Sequence, residues 1–371
     1  MTHLDTLIPP HGLASALQAR QVTRKRHPHM PLSIYTYAPV CQYENLWNDV
    51  TMRCRGLVVD DTSGEIIALP FPKIFVSTMH NHGHAFAPPL PAEPFEVFEK
   101  ADGSLAIVFH YGGRWHAASK GSFISGQAAW AQSVLDRSDT SLLDPSLTYL
   151  AEAIYPSNRI VIDYGTREEL VLLAAYRPAD LGEVPLKVAG QHWAPIGPTA
   201  RSWGLSDSVQ VLEQLAAVNT TVDGDSVSGT TAEGYVIRFA SGQRAKIKLA
   251  DYLKIHALFT GTNERTVWEV LAAGQDPADL FDQVPDEFRD WAHKVAAKMR
   301  TQVADWIAGA TAAYQEIGHL SDRKAFALRA VNSPYRSALF QLYDGRDITV
   351  LAWKHIKPRG DASPYASDDE G

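Results

Sequence analysis

The sequence predicts an α+β fold with an all-helical domain appended at the C-terminal end. Two patterns carry this. Between Phe95 and Leu249, short apolar runs alternate with Gly, Asp and Ser, as strands separated by turns do. From Phe288 onward the apolar positions are Phe288, Trp291, Val295, Met299, Val303, Trp306, Ala310, Tyr314 and Ile317. Their steps of three or four lay them along one face of a long helix. A chain of 371 residues, at about 150 per domain, leaves room for two domains. The change of character near Asp251 divides it into residues 1–250, with a subregion at 1–90, and residues 251–371.

Taken in order, residues 1–90 mix strand-like runs with Pro and His. His80-Asn81-His82-Gly83-His84, followed by Pro88-Pro89-Leu90-Pro91, reads as a loop. Strands are expected at Phe95–Phe98, Leu105–His110, Arg159–Tyr164, Leu170–Ala174, Tyr235–Phe239 and Ala245–Leu249, and a helix over Gln127–Leu135. Asn219–Thr231 is polar enough to be an exposed loop. Gly318 ends the long helix. Ser333-Pro334 reads as an N-cap followed by a first-turn Pro, and Asp344-Gly345 closes the helix it starts. Gly360–Gly371 is expected to be a flexible acidic tail.

Composition narrows the function. With 45% hydrophobic and 20% charged residues the chain can bury a core without staples. Two cysteines, Cys41 and Cys54, exclude a disulfide framework and a Cys-rich zinc site. No apolar run approaches the ~20 residues of a membrane span, and the first residues lack a signal-peptide pattern. A cytoplasmic protein without a membrane anchor is expected. The formal charge of −8 argues against binding nucleic acid through overall charge, but leaves room for a local basic cleft.

The segment Phe98-Glu99-Lys100-Ala101-Asp102-Gly103-Ser104-Leu105 sets a lysine at a strand end beside a turn. Alone it reads as a surface lysine on a hairpin rather than a lysine held in a cleft. Ser119-Lys120-Gly121-Ser122 precedes a helix-like run, where backbone donors suit an anion. Glu233-Gly234-Tyr235-Val236 starts a strand with a carboxylate. In Arg244-Ala245-Lys246-Ile247-Lys248, period two sets Lys246 and Lys248 on one face, with Ala245, Ile247 and Leu249 on the other. Two adjacent lysines repel. A polyanion such as a triphosphate offsets that; otherwise the pair is a solvated face. The His80–His84 run reads as a surface loop rather than a metal site, and Trp115, Trp130 and Trp203 as core aromatics rather than base-stacking platforms.

Lys100-Ala101-Asp102-Gly103-Ser104 resembles the nucleotide-binding lysine motif of the covalent nucleotidyltransferases, which include polynucleotide ligases and mRNA capping enzymes. The likeness extends, in family order, through Arg53-Cys54-Arg55-Gly56-Leu57, Pro72-Lys73-Ile74-Phe75, the Lys100 motif, Ser119-Lys120-Gly121-Ser122, Glu152 with Pro156-Ser157-Asn158-Arg159-Ile160-Val161, Glu233-Gly234-Tyr235-Val236 and Lys246-Ile247-Lys248. It covers roughly residues 30–255 and is nearest to the ATP-dependent RNA ligase 1 branch, typified by the T-even phage tRNA-repair ligase. Ala101 stands where that branch often has an acid.

The resemblance implies a nucleotidyltransferase domain of antiparallel sheets flanked by helices. It implies ATP as AMP donor, Mg²⁺ with Mn²⁺ as an alternative, and RNA bearing 5′-phosphate and 3′-hydroxyl ends, with tRNA among the candidates, joined by a monomer. It assigns Lys100 as the nucleophile, with Lys246, Lys248 and Glu233 beside it in catalysis. Tyr37, Arg55, Lys73 and Lys120 are assigned to the nucleotide and phosphates, Glu152 to the ribose, and Asp102 and Glu233 to a hydrated metal. The first step needs a neutral amine, whose free pKa is ~10.4. Lys246, Lys248 and Arg55 are expected to push Lys100 toward that form. A DNA ligase or capping enzyme is disfavoured by the helical C-terminal part, where those carry an OB-type β-domain. A non-catalytic RNA-end-binding module is disfavoured by the intact Lys100, Glu233, Lys246 and Lys248.

Overall fold

A computed structural model describes residues 2–43, 45–261, 263–275 and 286–358. The expected acidic tail at Gly360–Gly371 lies outside the described residues, as do the side chains of Phe288 and Trp291. The chain divides into two units, one of residues up to Lys254 and one from Ile255. No described helix is long and apolar enough to cross a membrane.

The first unit holds fourteen strands among its described residues: β1 (Val22–Arg26), β2 (Leu32–Tyr37), β3 (Arg55–Asp60), β4 (Ile66–Ala68), β5 (Phe75–Val76), β6 (Phe95–Glu99), β7 (Ser104–Tyr111), β8 (Arg114–Ser119), β9 (Thr148–Ile154), β10 (Glu169–Arg177), β11 (Gly182–Val184), β12 (Ser202–Ser206), β13 (Gly234–Phe239) and β14 (Arg244–Lys248). They form three sheets, ordered β1-β2-β3-β4, β11-β10-β9-β7-β8 and β12-β6-β13-β14-β5. Every pairing is antiparallel except β14 with β5.

Strand β7 explains how the first two sheets stack. Its alternate residues Leu105, Ile107 and Phe109 pack with Leu57, Val58 and Ile34 of the first sheet. Ala106 and Val108 point the other way, toward Val134 and Leu135 of helix Gly126–Arg137 and Trp193 of helix Leu186–Trp193. A period-two strand buried on both faces has to be apolar, and this one is over its buried stretch Leu105–Phe109. Trp115 and Trp130 pack against the helix-side core, while Trp203 meets Tyr235 edge-on at 5.3 Å.

Three local readings need correction. Arg159–Tyr164 is not a strand: the backbone N–H groups of Val161 and Ile162 donate to the Asp102 carboxylate instead of to a neighbouring strand. Both side chains are buried, which gave the run its strand-like apolarity. The strand of this region is β9, upstream. Ser333 is not an N-cap. It opens a turn in which Arg336 N–H donates to the Ser333 carbonyl, and the helix runs Arg336–Tyr343. In the His80–His84 segment, His80 is buried with Nδ1 2.7 Å from the Pro88 carbonyl oxygen, so that histidine ties the segment down rather than sitting on its surface.

In the second unit the long helix Asp286–Ile317 is present. Val295 and Met299 pack with Val267 and Leu271 of helix Glu264–Ala272. Further along the same face, Ala310 meets Ala338 and Ile348, and Tyr314 and Ile317 meet Phe326.

Candidate active site

Strands β6 and β7 belong to different sheets, so Lys100 is not on a hairpin. It stands where the chain leaves the third sheet, its N–H donating to the Gly234 carbonyl at 3.0 Å. The crossover is fixed by its neighbours. A Cβ on Gly103 would lie 2.6 Å from the Ala153 carbonyl oxygen, so this close approach requires glycine. Ala101 packs toward Ile154, Val171 and Ala200, away from the lysines.

Asp102 is 4% exposed. Its Oδ2 accepts from Val161 and Ile162 N–H at 2.9 and 2.8 Å, its Oδ1 from the Tyr252 hydroxyl at 2.8 Å, and its own N–H donates to the Tyr164 hydroxyl at 2.9 Å. Both carboxylate oxygens are thereby used inside the fold.

Glu233 precedes β13 and faces the lysines. Its Oε2 accepts from Lys100 Nζ at 2.7 Å and its Oε1 from Lys248 Nζ at 2.8 Å. Burial opposes ionisation of Glu233, but Lys100 and Lys248 outweigh it and hold the carboxyl below its usual range. The strand start depends on Gly234, whose φ is +143° and whose Cβ would lie 2.1 Å from the Ile247 carbonyl oxygen. Gly234→Ala should therefore cost more than about 2 kcal/mol. Thermal unfolding measures it, and a variant as stable as wild type would refute the tight register of β13 against β14.

The alternation of β14 is as expected, with Ala245, Ile247 and Leu249 buried and both lysines on the other face. Lys246 is surrounded by like charge. Burial, then Lys100, Arg55 and Lys73, drive its pKa well below the usual lysine value against a weaker pull from Glu233. Tyr37 forms the opposite wall. Lys73 Nζ lies 5.4 Å from its ring centroid and 4.6 Å from that of Trp47, and Lys120 Nζ lies 5.2 Å from the Tyr37 ring. Burial would raise the Tyr37 phenol, but the charges of Lys120, Lys73 and Arg55 bring it below its ordinary value. Burial and the same neighbours lower Lys73, with Tyr37 opposing. Arg55 Nη1 is buried with no hydrogen-bond partner. On β9, burial pushes the Glu152 carboxyl up to about 7, Lys100 opposing.

All ten residues singled out from the sequence converge. Six are cations and three are carboxylates, and among the described residues Arg55, Lys73, Lys120 and Lys246 have no ion pair. A surplus of unpaired, part-buried cations is unfavourable unless a polyanion completes it. It also resolves how a chain of net charge −8 keeps a basic site.

The expectation for Lys100 itself is corrected. Burial lowers its pKa, but Glu233, Glu152 and Asp102 together raise it above the usual lysine value. Without substrate, the carboxylates and not the cations set its charge. Tyr252, Tyr164 and Trp47 went unrecognised in the sequence. Only Tyr252 left a trace, four residues after Lys248, whose Nζ sits 4.8 Å from its ring centroid.

Residues 53–255, more than half of the chain, match the RNA ligase family of the T4 RNA ligase 1 type. A protein of Autographa californica nuclear polyhedrosis virus described as a putative bifunctional polynucleotide kinase/RNA ligase is 24% identical over 200 residues, which cover 47% of this chain and 28% of the viral protein. The chain thus spans little more than a quarter of that curated relative. Among solved structures, an archaeal ATP-dependent RNA ligase superposes over 92% of this chain and 96% of its own at 15% identity and a TM-score of 0.46. Naegleria gruberi RNA ligase with PPi superposes over 44% and 52% at 15% identity and 0.35. With more than half its length matching that family, this chain belongs to the RNA ligase family.

Proposed function

We propose that the protein is an ATP-dependent RNA ligase that seals 5′-phosphate to 3′-hydroxyl ends, and that its first unit is the adenylyltransferase. The observation that carries this is one buried carboxylate, Glu233, shared by Lys100 and Lys248 in a pocket of otherwise unpaired cations. In the first step the Lys100 Nζ lone pair forms a bond to the α-phosphorus of ATP. The bond from that phosphorus to the bridging oxygen breaks, and pyrophosphate leaves. Lys100 first gives up its proton, and Glu233 Oε2, 2.7 Å away, is placed to hold it. Arg55, Lys73, Lys120, Lys246 and Lys248 stabilise charge on the transferring and departing phosphates, and Glu152 holds the ribose. AMP then moves from Lys100 to an RNA 5′-phosphate oxygen. Finally a 3′-hydroxyl oxygen loses its proton and bonds the phosphorus of that RNA 5′-phosphate, the bond from this phosphorus to the oxygen bridging to AMP breaks, and AMP leaves.

A divalent cation fits this donor set as a water- and phosphate-bound ion. Among the described residues no three His, Cys, Asp or Glu gather into a cage, and Mg²⁺ usually takes only one or two carboxylates beside waters and phosphates. Glu233 would hold it through water, with Mn²⁺ as an alternative ion. Asp102, its oxygens engaged, keeps the crossover in place. Such an ion neutralises phosphate charge when bound.

The test is incubation with α-labelled ATP and Mg²⁺. Label should stay on the protein through denaturation, return to ATP on adding pyrophosphate, and vanish in Lys100→Ala. Folded wild-type protein that takes no label would overturn the reading. Competing ATP against GTP, and 5′-phosphorylated RNA against nicked DNA, separates it from a capping enzyme or a DNA ligase.

A further inference from the structure

Strand β1 is the outer strand of the first sheet, and four of its five residues, Thr23-Arg24-Lys25-Arg26, are exposed. Arg24 is committed, donating to Asp61 and Ser33 at 2.8 Å each. Arg26 is not: its side chain is 75% exposed and reaches Asp61 only at 3.8 Å. Lys25, beside it on the edge strand, has no ion pair among the described residues. Lys25 and Arg26 line a cleft of about 330 Å³ with Ser122, Phe123, Ile124, Ser125 and Gly126. That lining holds no acidic side chain. The twelve-residue helix Gly126–Arg137 begins in the wall, so its N-terminal dipole end adds to the positive field.

The cleft is also apolar where solvent reaches it. Ile124 is 75% exposed, and Phe123 packs against the His27 ring at 5.0 Å between centroids. Phe123 and Ile124 line a second cleft, of about 720 Å³, that leads to Arg114 and Trp115. The loop that carries Ile124 also carries Lys120 of the site. Val22 of β1 pairs with Tyr37, so Lys25 lies three residues from the site's wall, about 10 Å along the strand.

Cations beside the exposed Ile124 and the part-buried Phe123, with no acid in the lining, complement a flexible chain of phosphates with bases between them. We propose that this cleft is the docking path for the single-stranded backbone of the RNA substrate on its way to Lys100. Lys25 and Arg26 contact phosphates, and Phe123 and Ile124 contact a base. The inference rests on the RNA ligase reading and extends it to a surface outside the catalytic cluster.

The test compares wild type with Lys25→Glu/Arg26→Glu and with Ile124→Ser. Lysyl-AMP formation without RNA should be unchanged in both, which certifies fold and site. Binding of a 5′-phosphorylated single-stranded oligoribonucleotide should weaken about tenfold in the charge-reversed variant. The slope of log K against log salt should drop by about 0.7 for each phosphate that the variant no longer neutralises. Ile124→Ser should weaken binding without changing that slope. Wild-type RNA affinity and slope in the charge-reversed variant, with lysyl-AMP formation intact, would overturn the proposal, as would a cleft that binds polyglutamate but not RNA. Failure of wild type to form lysyl-AMP strikes the ligase reading instead, and RNA binding then still judges the cleft.

Discussion

Glu233→Gln should cut the rate of lysyl-AMP formation by about 100-fold or more and move its pH dependence to lower pH. On the proposed mechanism Lys100 reacts only when neutral, so the rate climbs with pH as it loses its proton. In wild type that climb extends above the ordinary lysine value, because Glu233 leads the groups that raise Lys100 against burial. Glutamine keeps the shape but removes the charge. Glu152 and Asp102 still pull the proton toward Lys100, but with Glu233, the largest of the three, gone, burial and the nearby cations weigh more, so the rising limb starts earlier while its plateau falls for want of a proton acceptor and an anchor. Stability should drop as well. Removing one member of a buried ion pair costs about 3–5 kcal/mol, and the Lys100 and Lys248 side chains are only 18% and 17% exposed. Initial rates of label incorporation across pH, with thermal unfolding in parallel, check both parts. A variant whose limb keeps its wild-type midpoint would show that Glu233 does not govern the charge of Lys100.

Why the candidate site was legible, and its electrostatics less so, follows from what each residue depends on. Lys246 and Lys248 share a face because strands alternate, and no tertiary information was needed for that. Gly103 and Gly234 stand where backbones approach too closely for any Cβ, a constraint that ties glycine to its motif. The long helix was legible because Val295, Met299, Val303, Ala310 and Tyr314 repeat at helical spacing. By contrast, Arg159–Tyr164 looked like a strand because Val161 and Ile162 are apolar and buried, yet their N–H groups bond to Asp102, 59 and 60 residues away. Nothing in a local window announces such a partner. The charge of Lys100 failed to emerge for the same reason. Its raised pKa depends on Glu233, 133 residues on, and on Glu152 from another sheet. Sequence spacing names the members of a cluster, but distances among them decide which group wins the proton.

Lys246→Met should make the substrate-free protein more stable while lowering lysyl-AMP formation by about 100-fold or more. Lys246 is a part-buried cation facing Lys100, Arg55 and Lys73, and among the described residues it has no ion pair. Methionine retains much of the apolar stem and removes the repulsion. A gain of about 1 kcal/mol would raise the melting temperature by roughly 2–4 °C for a unit of this size. The pH dependence supplies a second sign. Because the pKa of Lys246 is depressed in the folded state, the unfolded chain binds its proton more readily over the interval between that value and the usual lysine value. Stability contributed by this group therefore rises with pH across the interval and is lowest below it. The methionine variant should lose that slope, and its advantage over wild type should shrink as the pH approaches the ordinary lysine range. A residue whose removal stabilises the resting fold but abolishes chemistry is one the site keeps for its substrate. Were the methionine variant less stable than wild type at neutral pH, Lys246 would have a counter-charge in the resting state, and the case for a pocket completed by the triphosphate would lose its electrostatic basis.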